Sequence, residues 1–190
     1  MERNAQPDAP QGPHPLATAL ATALPHGARV LVVGAGDGRN RPPLRAAGLL
    51  VEEAAAADAL LAAFPGPYAG VLSTHGLLHG TRRTIEQRLG VLATRLAPGG
   101  RLHATFGSTS DPRCGTGTPV EGEGWSPRDG EERGVPHAYF DTEAIALALR
   151  AFRVLRAHEQ FVGDVVGRWA HRESGSRRPS VHWFVEALRA

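Results

Sequence analysis

An apolar run that ends in a glycine-rich turn constrains the fold of this chain more than any other feature. Residues 30–40 read VLVVGAGDGRN, and the four apolar residues are typical of a short, fully buried parallel strand. Gly34, Gly36 and Gly38 leave the turn without side chains, so its backbone can contact a bound molecule and adopt positive φ angles. The chain is then predicted to enter a helix, whose free N–H groups favour a polar or anionic ligand group. An ordinary turn between a strand and a helix would also fit these residues.

Predicted strands and helices alternate along most of the chain. In order they are a helix at Leu16–Leu24, a strand at Arg29–Val33, a short helix from Asn40, strands at Leu49–Glu53 and Gly70–Ser73, an amphipathic helix at Thr81–Leu96, a strand at 101–106, a helix at Thr142–Ala151 and strands at Phe152–Val162 and Ser180–Leu188. The alternation up to residue 106 predicts a doubly wound, mostly parallel sheet, and the two late strands predict an antiparallel edge. The predicted fold class is therefore α/β.

Length and local composition predict one domain with a tail and a long loop. The chain has 190 residues, which suits a single core. Residues 1–13 are polar and rich in proline and are predicted to be a disordered tail, which leaves residues 14–190 as the domain. Residues 107–136 are rich in glycine, proline and charge, and loops of this length inside compact domains are usually functional lids or disordered. We expect a lid here.

The charged residues and the single cysteine exclude several classes of chemistry. All 21 basic residues are arginine, and a chain without lysine cannot form a Schiff base, anchor pyridoxal phosphate or complete a phosphate loop. Cys114 is the only cysteine, which excludes an internal disulfide and a cysteine metal cluster. The formal charge of +2 is too small for a phosphate-binding surface, so nucleic acid is not an expected partner. Without a membrane span or a signal peptide, the expected location is cytoplasmic and no membrane contact is expected.

Several motifs together resemble one enzyme family. Arg39 stands where the nicotinamide-binding fingerprint needs its third glycine, so that fingerprint fails. The spacing G-x-G-x-G, preceded by VL and followed by RN, resembles motif I of the class I S-adenosylmethionine-dependent methyltransferases. YAGVLSTHGLLHG and LATRLAPGGRLHATF resemble the fourth and fifth strands of that family with their flanking turns. FGSTSDPRCGTG, DGEERGVPHAYFD and VHWFV are similar to its tellurite-resistance and thiopurine branch, and the resemblance spans residues 15–188.

The resemblance implies a Rossmann-like sheet, S-adenosylmethionine as cofactor and a set of cofactor contacts. The glycine turn would lie under the methionine part, Asp58 resembles the acid that receives the adenine amino group, and the residues after the fourth family strand would flank the methyl donor. The implied contacts are Gly34, Ala35, Gly36, Gly38, Asn40, Glu53, Asp58, Ser73, Thr74 and His75.

The chain departs from the family pattern in its first half. Val32 stands where the family often has an acid. The stretch between Gly38 and Gly70 is short, and we expect one βα unit of roughly 20–30 residues to be missing. LRAAGLLVEE can be the end of the first helix plus the second family strand, in which case Glu52 or Glu53 could hold the ribose hydroxyls. It can equally be a later helix end plus the third strand, and then the ribose acid is absent.

Two histidines and a tyrosine are the candidate catalytic residues. His75 and His79 lie four positions apart, but their segment follows a strand and contains two glycines, which weakens a helix. No carboxylate-rich pattern accompanies them, so no metal site is expected, and Glu132 and nearby acids are expected to be solvated loop charges. His79 can be hydrogen-bonded to backbone or act as a general base, whereas His137 and Tyr139 place polar groups beside the expected pocket.

The expected function is S-adenosylmethionine-dependent methyl transfer to a small-molecule acceptor. The alternative is a methyltransferase-like protein without methyl transfer, either a binding or partner protein or a cyclase that reuses the pocket. A missing βα unit would leave sheet surface uncovered, so we expect a homodimer that covers it.

Overall fold

A seven-stranded sheet with helices packed on both faces forms the centre of the protein. The computed structural model describes residues 12–34, 38–54, 63–128, 132–162 and 180–190. The helices of this part are α1 (Pro15–Ala23), α2 (Arg41–Ala46), α3 (Arg82–Arg95) and α4 (Thr142–Ala148). The strands are β1 (Arg29–Val33), β2 (Leu50–Ala54), β3 (Tyr68–Ser73), β4 (Leu96–Ser108), β5 (Thr118–Val120), β6 (Gly124–Ser126), β7 (Tyr139–Phe140), β8 (Phe152–Phe161) and β9 (Val181–Arg189).

The strand order of the main sheet is β2-β1-β3-β4-β9-β8, with β7 beside the end of β4. Strands β2, β1, β3 and β4 run parallel, whereas β9 is antiparallel to both β4 and β8. The long hairpin formed by β8 and β9 therefore makes β8 an antiparallel edge strand. These pairings confirm the predicted α/β class, the mostly parallel sheet and the antiparallel C-terminal edge.

The apolar run of β1 is buried on both of its faces. Val30 and Val32 pack with α1 and α2 on one side of the sheet, and Leu31 and Val33 pack with α3 and α4 on the other. Because successive side chains point to opposite faces, a strand covered on both sides is apolar at every position. This is the physical reason for the continuous VLVV pattern.

The strand after the first short helix pairs directly with β1. β2 follows α2 and runs parallel to β1, with Leu31 opposite Glu52 and Val32 opposite Glu53. The first interpretation of LRAAGLLVEE, a helix end followed by the strand next to β1, agrees with this pairing. Between β1 and β3, β2 is the one strand in the part of the chain that the structure describes.

The segment between α3 and the centre of β4 differs from the prediction. The amphipathic helix is present and Thr81 caps it by accepting a hydrogen bond from the Thr84 backbone N–H. β4, however, already begins at Leu96, which pairs with Tyr68. The next ladder pair in the shifted register joins Gly70 to residue 101, so four residues of β4 oppose one residue of β3. The PGG turn is therefore a bulge inside the strand rather than a loop before it.

The region predicted as a lid contains regular structure. Residues 107 and 108 belong to β4, and β5 and β6 form a two-stranded antiparallel sheet. His137 is joined to Trp125 by two backbone hydrogen bonds of 2.8 and 2.9 Å, so the end of the region is tied to β6. Opening of this region as a lid stays a prediction. Residues 1–11 of the predicted tail lie outside the described residues, and no described helix is long and apolar enough to cross a membrane.

Candidate functional site

The carboxyl ends of β1, β2 and β3 meet at one edge of the sheet. Because β2 and β3 lie on opposite sides of β1, this edge is a topological switch point, the place where open α/β sheets bind ligands. Gly34 follows β1, Glu53 is the last residue but one of β2, and Ser73 ends β3. Thr74 and His75 continue the chain after β3. The structure thus brings five of the predicted cofactor contacts to one edge.

Two glycines allow the turns after β1 and β3 to pack against each other. Gly34 has a φ of 68°, and a Cβ atom built there would lie 2.6 Å from the Cα of Gly76. A Cβ built on Gly76 would lie 2.7 Å from the carbonyl oxygen of Val33. Such distances are too short for any side chain, so both positions require glycine for packing. The sequence had suggested ligand approach and a positive φ as reasons for Gly34, and the structure adds this packing.

The two neighbouring acids of β2 have different partners. Glu52 forms an ion pair of 2.6 Å with Arg29 and accepts a hydrogen bond of 2.9 Å from the Tyr68 hydroxyl. The Oε2 atom of Glu53 lies 3.3 Å from Arg41, while its Oε1 atom is buried without a hydrogen-bond partner among the described residues. A buried carboxylate oxygen without a partner costs free energy. Of the two acids, Glu53 is therefore the one available to a ligand.

Ser73 and Thr74 also differ in whether their hydroxyl groups have a hydrogen-bond partner. The Oγ atom of Ser73 is buried and has no hydrogen-bond partner in the described part of the chain. The hydroxyl of Thr74 accepts a hydrogen bond of 3.1 Å from the Asn40 amide, whose Oδ1 atom accepts one of 2.9 Å from the His14 backbone N–H. Buried Asn40 thus ties the start of α1 to the loop after β3 and positions Thr74.

Three buried imidazoles form one wall of this edge. The ring of His75 lies 6.5 Å from that of His14 and 6.4 Å from that of His182, measured between centroids. Burial, together with the neighbouring His182 and Arg39, lowers the pKa of His75 to about 2. Burial also lowers the pKa of His14 to about 3 and that of His182 to about 4. The wall is therefore uncharged at neutral pH.

A glutamate joins two of the candidate catalytic residues. The Nε2 atoms of His79 and His137 each lie 3.2 Å from a different carboxylate oxygen of Glu132. The two rings are nearly perpendicular, with centroids 5.0 Å apart. Burial alone would raise the pKa of Glu132, but hydrogen bonds from His137 and His79 outweigh it and hold the pKa well below its usual range. The expectation that Glu132 is a solvated loop charge is therefore wrong.

Tyr139 lies on β7, two residues after His137, and is half-buried. Burial raises the pKa of its phenol, so the hydroxyl stays protonated near neutral pH and can donate a hydrogen bond. A groove of about 480 Å³ borders the β5–β6 hairpin, next to the segment that carries Glu132 and His137. Its lining includes Val120, Ser126, Arg128, Arg133 and Pro136.

Sequence reasoning missed three residues of this region. His14 and His182 come from the start of α1 and from β9, far from the glycine turn in sequence, and Glu132 lies among other loop acids. The pairing of β9 with β4 places His182, a hydrogen bond to Asn40 holds His14, and contacts with His79 and His137 hold Glu132. The predicted contacts Ala35, Gly36 and Asp58 lie outside the described residues.

Comparison with known proteins identifies solved structures with a similar fold but no protein family. No protein-family model matches the sequence, and no curated protein matches it. The structure is similar to 1,6-didemethyltoxoflavin-N1-methyltransferase from Burkholderia thailandensis, with a TM-score of 0.62 and 17% identity over 93% of this chain and 77% of that chain. That protein was crystallised with 1,6-didemethyltoxoflavin and S-adenosylhomocysteine.

Two further solved structures share the fold. One is a SAM-dependent methyltransferase from Methanosarcina mazei, with a TM-score of 0.58 and 11% identity over 90% of this chain and 96% of that chain. The other is the [4+2]-cyclase SpnF, with a TM-score of 0.55 and 18% identity over 92% of this chain and 80% of that chain. The chain therefore has the mixed, Rossmann-like fold of S-adenosylmethionine-dependent methyltransferases.

Proposed function

We propose that the protein binds S-adenosylmethionine at the carboxyl ends of β1, β2 and β3 and transfers its methyl group to a small-molecule acceptor. The proposal rests on two buried atoms, Glu53 Oε1 and Ser73 Oγ, at the ends of the two strands that flank β1, because neither has a hydrogen-bond partner among the described residues. A carboxylate at the end of such a strand can accept hydrogen bonds from ribose hydroxyls. The shared methyltransferase fold supports the same assignment.

The neutral histidine wall suits a cationic cofactor. An imidazolium beside the sulfonium would repel it, whereas the neutral rings of His14, His75 and His182 carry no such cost. S-adenosylmethionine supplies a methyl group that its sulfonium already activates, so the protein contributes positioning and, where needed, a base. In this proposal Gly34, Gly38, Ser73, Thr74 and His75 line the cofactor site together with Ala35, Gly36 and Asp58, and Asn40 contributes by holding Thr74.

We assign the acceptor side of the site to His79, His137 and Tyr139. The carboxylate of Glu132 holds both imidazoles in place, and a carboxylate beside an imidazole orients the ring and stabilises its protonated form. Tyr139 acts as a hydrogen-bond donor to the acceptor.

Calorimetric titration of the purified protein with S-adenosylmethionine and S-adenosylhomocysteine tests the proposal. We expect binding of both, and we expect Glu53→Gln to weaken it by about 10–100-fold because a charged hydrogen-bond acceptor is lost. Glu52→Gln is the matched control, since the neighbouring acid is occupied by Arg29 and Tyr68, and its affinity should match the parent. Absence of binding by the parent protein, or equal losses in both variants, would contradict the assignment.

A second candidate function is a cyclase that uses the same pocket without methyl transfer. The structural similarity to SpnF, a [4+2]-cyclase, is the observation that favours it. The two functions differ in one product, because only methyl transfer releases S-adenosylhomocysteine. A panel of small acceptors incubated with S-adenosylmethionine, followed by quantification of S-adenosylhomocysteine, separates them.

We also propose that the protein belongs to the tellurite-resistance and thiopurine branch and lacks one βα unit of that family's pattern. The direct parallel pairing of β2 with β1 supports the shortening, because it leaves no described strand beyond β2 on that side of the sheet. The motifs around residues 106–117 and 129–141 support the branch assignment.

A further inference from the structure

We propose that His79, Glu132 and His137 form a binding site for a first-row divalent metal ion, with Zn²⁺ as the reference ion. One ligand atom from each residue is available, and all three atoms lie within 4.8 Å of one another. Two imidazoles and one carboxylate are a donor set that zinc and its neighbours in the first transition row favour. The sequence did not predict this site, because the third ligand comes from a loop 53 residues after His79.

The hydrogen bonds of His137 place a proton or a metal ion between its Nε2 atom and Glu132. Its Nδ1 atom lies 2.9 Å from the carbonyl oxygen of Val135, and since a carbonyl only accepts, Nδ1 must carry the hydrogen. In the neutral ring the Nε2 atom is then a bare lone pair, and it faces a carboxylate oxygen of Glu132 at 3.2 Å. Two acceptors cannot bond to each other, so a proton or a metal ion must lie between them. A backbone carbonyl that fixes the outer nitrogen is the usual arrangement at metal-bound histidines.

The backbone holds both histidines at a fixed separation. His79 and His137 form an antiparallel bridge, and the N–H of Gly80 donates to the carbonyl of Pro136 at 2.7 Å. Trp125 ties His137 from the other side through two hydrogen bonds. Directly opposed residues of such a bridge have Cβ atoms roughly 4.5–5.5 Å apart, close enough for both rings to reach one ion. The site is therefore preorganised by main-chain contacts.

The distances and the exposure fit a metal with one open coordination position. Tetrahedral bonds of about 2.0–2.2 Å place neighbouring ligand atoms about 3.3–3.5 Å apart. Here each Nε2 atom lies 3.2 Å from a different oxygen of Glu132, and one ligand atom from each residue lies within 4.8 Å of the other two. The side chains of His79 and Glu132 are 44% and 36% exposed, so solvent reaches the site from one side. A water molecule, or an oxygen or nitrogen atom of a small ligand, can take the remaining position.

Zinc titration of untagged, chelator-stripped full-length protein tests the site. We expect one equivalent of Zn²⁺ to bind with a dissociation constant in the micromolar range or tighter, and Co²⁺ to give the visible absorption of a four-coordinate complex. Failure of the parent protein to bind either ion below about 1 mM would overturn the proposal and leave a proton in place of the metal.

Two ligand variants and one control locate the ion. Glu132→Gln and His79→Asn should each weaken zinc binding by at least about 10–100-fold. Mutating the residues that hydrogen-bond to metal ligands typically causes a loss of this size, and removing a ligand itself should cost no less. Glu123→Gln, which removes an exposed acid that pairs with Arg82 nearby, should leave it unchanged. Stoichiometric binding that survives both ligand variants would also overturn the site. These residues belong to the proposed acceptor side and not to the cofactor side, so the calorimetric test of S-adenosylmethionine binding and the zinc titration can fail separately.

Discussion

Burial divides five histidines near the candidate site into two chemical groups. His14, His75 and His182 lie inside the molecule, where desolvation keeps their rings neutral. His79 and His137 instead meet the carboxylate of Glu132 at a partly solvated position. Histidine therefore provides an uncharged wall at the cofactor side, whereas beside Glu132 it can accept a proton or bind a metal ion.

The neutral histidines make the fold sensitive to acid. In the unfolded chain their pKa is about 6.5, whereas in the folded protein it is about 3 for His14, 2 for His75 and 4 for His182. Below pH 6.5 the unfolded state therefore binds protons that the folded state does not. We expect the free energy of unfolding to fall by about 1–2 kcal/mol per histidine between pH 7 and pH 5.

Urea denaturation at the two pH values measures this loss. His182→Gln should reduce the pH dependence by about the share of one histidine, because one proton uptake site is removed. Equal stability of the parent protein at pH 7 and pH 5 would show that the buried rings do not control its acid sensitivity.

The turns at the strand ends depend on close backbone contacts. Gly34 and Gly76 bring the turns after β1 and β3 together, and the shared edge that results carries Glu53 and Ser73. Other elements follow local rules, as when Asp141 caps α4 by accepting a hydrogen bond of 2.8 Å from the Ala144 N–H. The site thus depends on a contact between residues far apart in sequence, whereas the ends of most helices and strands are set by neighbouring residues.

Alanine substitutions at two glycines should have opposite effects on stability. Gly76→Ala pushes a methyl group against the backbone of Val33 and Gly34, and we expect it to lower the free energy of unfolding by about 1–3 kcal/mol. Gly90→Ala adds a methyl group in open space at an exposed position of α3, and it should raise that free energy by roughly 0.5–1 kcal/mol. Urea denaturation compares the two. A Gly76→Ala protein as stable as the parent would show that the turns can separate.

The sheet leaves apolar side chains exposed at one edge of the whole molecule. Val154, Leu155 and Phe161 of the edge strand β8 are 42%, 45% and 52% exposed among the described residues. An exposed edge strand offers unpaired backbone groups to another chain, and on β8 these apolar side chains are interspersed with charged ones such as Arg153 and Arg156. The sequence placed the expected homodimer on sheet surface left by a missing βα unit; we now predict that it forms through this edge instead.

Light scattering during size-exclusion chromatography tests the homodimer. We expect a mass near twice the 20.1 kDa of the chain, and we expect Leu155→Arg to give a monomer, because a charge placed on the edge must be desolvated in the dimer. The isolated exposed change Leu147→Arg on α4 is the control and should leave the mass unchanged. A parent protein that stays monomeric at high concentration would contradict the prediction.

Local patterns determined most of the fold in advance. The VLVV run, the stripe of α3 and the cap at Asp141 each depend on neighbours in sequence, so α1, β1, α3 and α4 were predicted within a few residues. The start of β4 was not predicted, because the PGG sequence is typical of a helix end. Only the pairing with β3 shows that it lies inside the strand. Glu52 and Glu53 could not be separated either, since their partners come from other elements.

By itself the sequence determined the α/β class, the order of the elements and the glycine turn, because periodicity, caps and glycine spacing are local properties. Only the tertiary structure decided which polar groups are buried, paired or left open. In the folded protein Glu52 pairs with Arg29, whereas Glu53 Oε1 has no partner among the described residues. Glu132 lies between His79 and His137. Desolvation and hydrogen bonding depend on neighbours in space, and those neighbours come from segments far apart in the chain.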